Sequence, residues 1–155
     1  MTRLGLAGLV VALLVVSALV VGNLAGSSDA VPRATLRLDG ISFRPELALH
    51  SRARAVGLMR RSRAPSDGML FVFPEPATGG FWMKNTLVPL RIVFYDVHGV
   101  RVRALSMKPC RRDPCPLYDP GRRYRFALEL AATDVRPARR LGPPAQLYRL
   151  TRRAS

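Results

Sequence analysis

Residues 90–105 read LRIVFYDVHGVRVRAL, and this stretch contains the longest β-hairpin pattern in the chain. Its two arms, residues 90–95 and 100–105, are rich in β-branched, aromatic and aliphatic side chains, which favour strands. The four residues between the arms end in Gly99, which suits a hairpin turn. Valine alternates with arginine in the second arm, so one face of the hairpin is expected to be buried and the other wet.

Shorter elements are predicted on both sides of this hairpin. Alternating residues on each side of Asp39-Gly40 predict a second hairpin over residues 35–43. Further strand patterns occur at residues 46–50, 69–73, 124–130 and 145–150. Helical patterns occur at residues 52–59 and 134–141. Together these elements predict a mainly β fold, a small antiparallel β-sandwich or barrel with one or two short helices.

The N-terminal stretch is strongly apolar. Residues 4–21 (LGLAGLVVALLVVSALVV) follow Arg3 and carry Ser17 as their one polar side chain. This length lies between that of an export signal and that of a membrane-spanning helix. Residues 1–30 are therefore interpreted as a cleaved signal peptide or as a hydrophobic helix that anchors the chain through residues 4–21. In both cases residues 31–155 form one mostly β domain, which is expected to be exported: anchored facing outside, or secreted.

The chain is strongly basic. Its 155 residues include 25 Lys+Arg against 10 Asp+Glu, a formal net charge of +15 at pH 7. Such a charge favours an anionic partner, here acidic lipid or a cell-envelope polymer. The alternative is that the arginines reflect genomic composition and only solvate the surface. No nucleic acid is expected as a partner, because no helix-turn-helix, finger or aromatic-rich binding motif is present.

A series of motifs follows one order along most of the domain. They include GLM, DGMLFVFPEP, FWMKNTLVPLRIVFYD and ALEL, at residues 57–59, 67–76, 81–96 and 127–130. In these motifs the chain resembles an uncharacterised prokaryotic family, domain of unknown function 192, over about residues 46–142. The resemblance implies a compact, mostly β domain that is often exported or anchored and has no agreed activity. The family usually has an acidic residue where this chain has Arg91, so any role of that carboxylate is not carried over.

Cys110 and Cys115 are the only cysteines of the chain. On the oxidising side of a membrane, a structural disulfide between them is expected. A redox role is the alternative, although the spacing is not CxxC. Zinc would require histidines at ligand-like spacing, and copper would require clustered methionines, so no metal and no cofactor are predicted.

Residues 81–86 (FWMKNT) form the most informative motif. Strand alternation sends Trp82 and Lys84 to the same side, and Asn85 and Thr86 follow directly. These four residues are the predicted ligand-binding site, suited to a sugar or an anionic ligand. The alternative interpretation places Trp82 in the core and uses Asn85 and Thr86 to fix a loop.

No catalytic residues are predicted. The sequence has no GxSxG elbow, no HExxH motif and no glycine-rich phosphate loop. Glu129 is expected on the polar side of its strand, without a second carboxylate to act with it. The preferred hypothesis is a non-catalytic envelope domain that binds an anionic ligand. Its alternatives are an envelope enzyme acting on a polysaccharide or peptide, and a domain that handles metal or redox chemistry.

Overall fold

A computed structural model describes residues 31–154 of the chain. Its strands and helices follow one another in the order β1 (Leu36–Leu38), β2 (Ile41–Phe43), β3 (Glu46–Ala48), α1 (Ser51–Val56), β4 (Met69–Ala77), β5 (Phe81–Trp82), β6 (Leu90–Tyr95), β7 (Arg101–Met107), β8 (Leu117–Tyr118), β9 (Tyr124–Ala131), β10 (Leu141–Gly142) and α2 (Pro144–Arg153). The fold is mainly β with two helices in this range, as predicted.

The central sheet has five strands in the order β3-β4-β9-β6-β7. The predicted hairpin is confirmed, since β6 and β7 pair antiparallel with Leu90 opposite Met107. Strands β3 and β4 are parallel, however, because the chain between them makes a crossover that includes α1. The central sheet is therefore mixed, and the described strands do not close into a barrel. The prediction of a mainly β fold is confirmed. The antiparallel prediction is wrong for the pair of β3 and β4, and the barrel alternative does not hold for the described strands.

The remaining strands form two smaller sheets. The second predicted hairpin is confirmed as β1 and β2, which form a three-stranded sheet with β10. Its turn residues Asp39 and Gly40 have φ values of 51° and 85°, which suits a tight hairpin turn. Strands β5 and β8 pair with each other antiparallel. This pairing holds the FWMKNT motif against residues 117–118.

Both faces of the central sheet are covered. One face contributes Leu70 and Leu128 to a first core, which also contains Leu147 of α2. The other face contributes Phe71 and Ala127 to a second core. Each fully buried leucine or phenylalanine side chain stabilises the fold by about 1.5–3 kcal/mol.

Glu129 shares the face of Ala127, because side chains alternate along β9. The turn after α1 and the Phe81 ring cover that face, so Glu129 is buried, with 5% of its surface exposed. The expectation that Glu129 lies on a polar, solvated side was wrong, since a strand covered on both faces has no solvated side.

The C-terminal assignment also needs correction. Residues 145–150 were predicted as a strand, but they belong to α2. Pro144 occupies the first turn of this helix, where a missing N–H costs nothing. Residues 134–140 form no helix; Pro137 lies among them, and a proline inside a helix removes a donor and clashes with the preceding turn.

The described residues 31–154 belong to one compact unit that contains both cores. The predicted leader, residues 1–30, lies outside the described residues. Within residues 31–154, none of the helices combines the length and apolar character that crossing a membrane requires.

Candidate functional site

The FWMKNT motif begins on β5 and divides its aromatic rings between core and surface. The Phe81 ring packs edge-on against Phe71 and Phe94, at centroid distances of 4.9 Å and 5.6 Å. Trp82 points the other way and remains 50% exposed. The alternative that placed Trp82 in the core therefore does not describe its position.

Lys84 lies beside Trp82, as strand alternation predicted. Its Nζ is 5.7 Å from the centre of the Trp82 ring and 2.6 Å from Oδ2 of Asp113. Asp113 therefore offsets the lysine charge at this surface. Because this ion pair is exposed, its contribution to stability is about 1 kcal/mol or less.

Asn85 and Thr86 form the turn that ends the motif. Asn85 is exposed and adopts a left-handed conformation with φ of 57°, which asparagine tolerates better than most residues. Its carbonyl accepts a hydrogen bond from the backbone N–H of Arg60 at 2.8 Å. Thr86 is buried, and its hydroxyl donates to the Lys84 carbonyl at 3.5 Å. Both contacts fix the loop. The Thr86 side chain does so as the alternative interpretation expected, whereas within residues 31–154 Asn85 contributes through its main-chain carbonyl and not through its side chain.

Cys110 and Cys115 form a disulfide with a Cα–Cα distance of 5.7 Å. The backbone N–H of Cys110 donates to the carbonyl of Met83 at 3.2 Å. The short disulfide loop also carries Asp113, the partner of Lys84. The disulfide therefore fixes the loop that contacts Met83 and Lys84 of the FWMKNT motif.

Glu129 is the site residue that the sequence did not reveal. Its Oε2 atom is buried and has no hydrogen-bond partner among residues 31–154. Its neighbours across the sheet, Met69 and Ile92, are apolar. Burial raises the pKa of the Glu129 carboxyl to about 8, because the charged form loses its hydration. At neutral pH this side chain is therefore largely a neutral carboxylic acid.

A small cleft leads to Glu129. Its volume is about 30 Å³. Its lining consists of part of α1 with the turn after it, three aromatic residues and two further polar residues: residues 54–59, Phe71, Phe81, Trp82, Thr86 and Glu129. We call it the Glu129 cleft. Two of the four predicted ligand-binding residues, Trp82 and Thr86, line this cleft. The other two, Lys84 and Asn85, do not line it.

Arg54 is the one cation that lines the Glu129 cleft. Its guanidinium donates to the carbonyl of Leu49 and, at 3.1 Å, to that of Val72. It also lies 5.2 Å from the centre of the Phe73 ring. These contacts direct its donors to backbone carbonyls.

A larger concave surface lies at the other end of the turn after α1. This arginine groove has a volume of about 720 Å³ and is lined by Arg33, Glu46 and residues 60–66. Glu46 is buried and pairs with Arg33 at 2.9 Å and Arg61 at 2.7 Å. Arg60 and Arg63 are exposed, and within residues 31–154 neither side chain has a hydrogen bond or an ion pair.

Metal binding has no cluster of ligands in the described part of the chain. No three His, Cys, Asp or Glu side chains come together there.

Solved structures of two bacterial proteins resemble this fold. The first, from Sinorhizobium meliloti, is described as a candidate transcription regulator and is 31% identical, with a TM-score of 0.59. The match covers 71% of this chain and 91% of that one. The second, a protein of unknown function from Novosphingobium aromaticivorans, is 24% identical with a TM-score of 0.53. It covers 74% of this chain and 94% of that one, and at this identity it supports the fold alone.

A comparison with curated proteins found no match. The family model named DUF192, and described as an uncharacterised ACR, matches residues 34–139. That range includes the motifs on which the resemblance was recognised, from the glycine turn after α1 to the strand that carries Glu129. The chain therefore belongs to this uncharacterised family, the domain of unknown function 192.

Proposed function

We propose that residues 31–155 form an exported, non-catalytic domain that binds an anionic polymer of the cell envelope in the arginine groove. The supporting observation is that Arg60 and Arg63 are exposed in a concave surface without a protein partner among residues 31–154. Guanidinium groups bind carboxylate and phosphate through paired donors. The ligand groups would be the phosphates or carboxylates of the polymer.

The charge of the groove supports this assignment. Its lining contains four arginines and one glutamate. Glu46 already accepts from Arg33 and Arg61, so the uncompensated donors belong to Arg60 and Arg63. Asn85 supports this arrangement, because its carbonyl holds the backbone of Arg60. In this way the FWMKNT motif would position a cation without touching the ligand.

A polymer fits the groove better than a lipid surface. A membrane-binding surface combines basic residues with large apolar side chains that enter the bilayer. The apolar residues that line the groove are Ala64 and Pro65, which are small. A concave basic surface without an apolar anchor is better suited to a chain that carries spaced anionic groups.

Export is part of the proposal. The apolar stretch at residues 4–21 would deliver the domain across the membrane and would remain as an anchor if it is not cleaved. The disulfide between Cys110 and Cys115 supports an oxidising compartment, since such bonds rarely persist in the cytosol. Cell fractionation, with the thiols titrated before reduction, tests this part independently.

An enzymatic role receives less support. Glu129 is the one acidic residue among those that line its cleft, so it has no carboxylate partner there. The two cysteines are bonded to each other, which leaves no thiol for redox or metal chemistry among residues 31–154.

Calorimetric titration of residues 31–155 with alginate and with long-chain polyphosphate tests the binding. We expect affinity for at least one polymer to fall at least tenfold between about 50 mM and about 200 mM salt. Replacing Arg60 and Arg63 by glutamine should weaken binding about tenfold or more. Replacing Arg152 and Arg153, which are exposed on α2, removes the same charge elsewhere and should change it far less.

Three results would overturn the proposal. One is equal weakening by the two double variants, which would mean that net charge alone drives binding. Another is binding to vesicles of phosphatidylglycerol and phosphatidylcholine, but to neither polymer. A third is preferential binding to double-stranded DNA, the ligand class suggested by the description of the Sinorhizobium meliloti protein.

A further inference from the structure

The Glu129 cleft is not used by the proposed polymer binding and has its own chemistry. Within the described residues, the Oε2 atom of Glu129 has no hydrogen-bond partner. The residue is buried, with 5% of its surface exposed, so bulk water does not replace that partner. Leaving a buried polar atom without a hydrogen-bond partner destabilises the fold, because the atom has lost its hydration. A group that enters the cleft beside the exposed Trp82 can supply the missing hydrogen bond.

The size of the cleft limits that group. Its volume of about 30 Å³ is the share of one water molecule in liquid water. A single hydroxyl or ammonium group can enter, and the remainder of the ligand must stay outside. Outside the cleft, the ligand would meet Trp82, whose ring is half exposed.

The chemistry of the entering group follows from the protonation of Glu129. A neutral carboxylic acid both donates and accepts hydrogen bonds, as a hydroxyl does. An ammonium group only donates, and it would face Arg54 within the cleft and Lys84 beside Trp82. Arg54 disfavours a positively charged ligand there, whereas Asp113 offsets the charge of Lys84.

Trp82 indicates what carries the hydroxyl. An exposed indole offers a flat apolar surface with a partial negative charge on its face. The C–H face of a sugar ring is flat, carries a slight positive charge and bears hydroxyls at its edge. A pyranose that stacks on Trp82 can thus direct one hydroxyl into the cleft.

We propose that the Glu129 cleft is a binding site for a neutral sugar ring, with Trp82 as the stacking surface and Glu129 as the hydrogen-bond partner of one ring hydroxyl. The site is independent of the arginine groove, because its ligand carries no charge.

Saturation-transfer NMR on the full chain, in a detergent without sugar groups, tests this site. The probes are maltotriose, cellotriose and triacetylchitotriose, with sorbitol as an acyclic control and propylamine as an ammonium probe. We expect saturable transfer to the ring C–H protons of at least one trisaccharide and none to sorbitol. The uncharged probes separate this result from any failure of polymer binding.

Variants of Glu129 identify the entering group. Glu129→Gln can still donate and accept, so sugar affinity should stay within about threefold, whereas Glu129→Met should weaken it about tenfold or more. Trp82→Leu, at a half-exposed position outside the core, should abolish transfer to the ring protons.

The proposal fails if no trisaccharide gives saturable transfer, or if Trp82→Leu binds as the wild type does. It also fails if propylamine binds to the wild type and is lost in Glu129→Gln, because that pattern identifies an ammonium site. Should Glu129→Met not fold, the Trp82→Leu and Glu129→Gln results decide the matter alone.

Discussion

The Oε2 atom of Glu129 lies 3.8 Å from the point that a β-carbon on Gly57 would occupy. Gly57 ends α1 with φ of 49° and ψ of −130°, a conformation that side chains strongly disfavour. The same β-carbon would approach Cζ of Phe71 to 3.0 Å. The glycine of the GLM motif therefore allows the turn after α1 to lie directly over the buried carboxyl and still leave a cleft.

Gly57→Ala should destabilise the domain by about 2–4 kcal/mol, since backbone strain and a contact with Phe71 add together. Gly40→Ala is the matched control. Gly40 also has a positive φ, of 85°, but a β-carbon there meets nothing within 4 Å. Gly40→Ala should lower the free energy of unfolding by about 1–2 kcal/mol, from backbone strain alone. Urea unfolding measures both, and equal losses would contradict the close approach at Gly57.

The buried carboxyl predicts a distinct pH dependence of stability. Glu129 has a pKa of about 8 in the folded state, against 4.5 as its ordinary value. Between these two pH values the unfolded chain has released this proton and the folded chain retains it. The free energy of unfolding should therefore fall by roughly 1 kcal/mol per pH unit over this window, relative to Glu129→Gln.

Urea titrations of wild type and Glu129→Gln at a series of pH values between about 4 and 9 test this slope. Subtracting the free energy of unfolding of Glu129→Gln from that of the wild type at each pH removes the effects of the other ionisable groups, such as Asp134. A difference that does not change with pH would show that the Glu129 pKa is not raised.

The disulfide should contribute a modest stability, because the closed loop is short. Replacing Cys110 and Cys115 by serine is expected to cost ~2 kcal/mol by loop-entropy reasoning. The emission of Trp82, the only tryptophan, should also shift, since the loop holds Asp113 against Lys84. Reductant should bring the wild type to the stability of the double variant. If reductant also lowered the stability of the double serine variant, the effect of reductant on the wild type would not come from this disulfide.

Arg91, which stands where the family resemblance implies an acidic residue, has a structural role. Its guanidinium donates to the carbonyl of Arg136 at 2.6 Å and lies 3.8 Å from Oδ1 of Asp134. Partial burial alone would raise the pKa of Asp134. Hydrogen bonds from Arg136, together with the charges of Arg136 and Arg91, instead hold this pKa below its usual range.

Arg91→Met keeps the apolar stem and should cost about 1–3 kcal/mol through the lost hydrogen bond. Arg91→Asp should cost more, because it places a second carboxylate near Asp134. Thermal unfolding at neutral pH ranks the two variants. Greater stability of Arg91→Asp would indicate that the surroundings still suit an acidic residue.

The sequence was informative where a pattern is local. The 90–105 hairpin, the turn at Asp39-Gly40 and the short helix α1 depend on neighbouring residues, and the structure confirms them. The parallel pairing of β3 and β4 depends on how a crossover of about twenty residues folds back, which periodicity does not encode.

The environment of Glu129 illustrates the same limit at the site. Alternation in residues 124–130 shows which side chains share a face, but not whether a distant element covers that face. Here Gly57 and Phe81, far apart in sequence, close over it. The C-terminal helix was detectable in principle, since Leu147, Leu150, Thr151 and Ala154 recur at helical spacing and are buried.

The position of α2 at the end of the chain also determines when the first core can form during synthesis. Leu147 and Leu150 belong to the first core, and β1 pairs with β10 just before that helix. A nascent chain cannot complete this core until residues 141–153 have left the ribosome tunnel, however early its first hairpins form. The first core therefore closes only when synthesis of the chain is nearly finished.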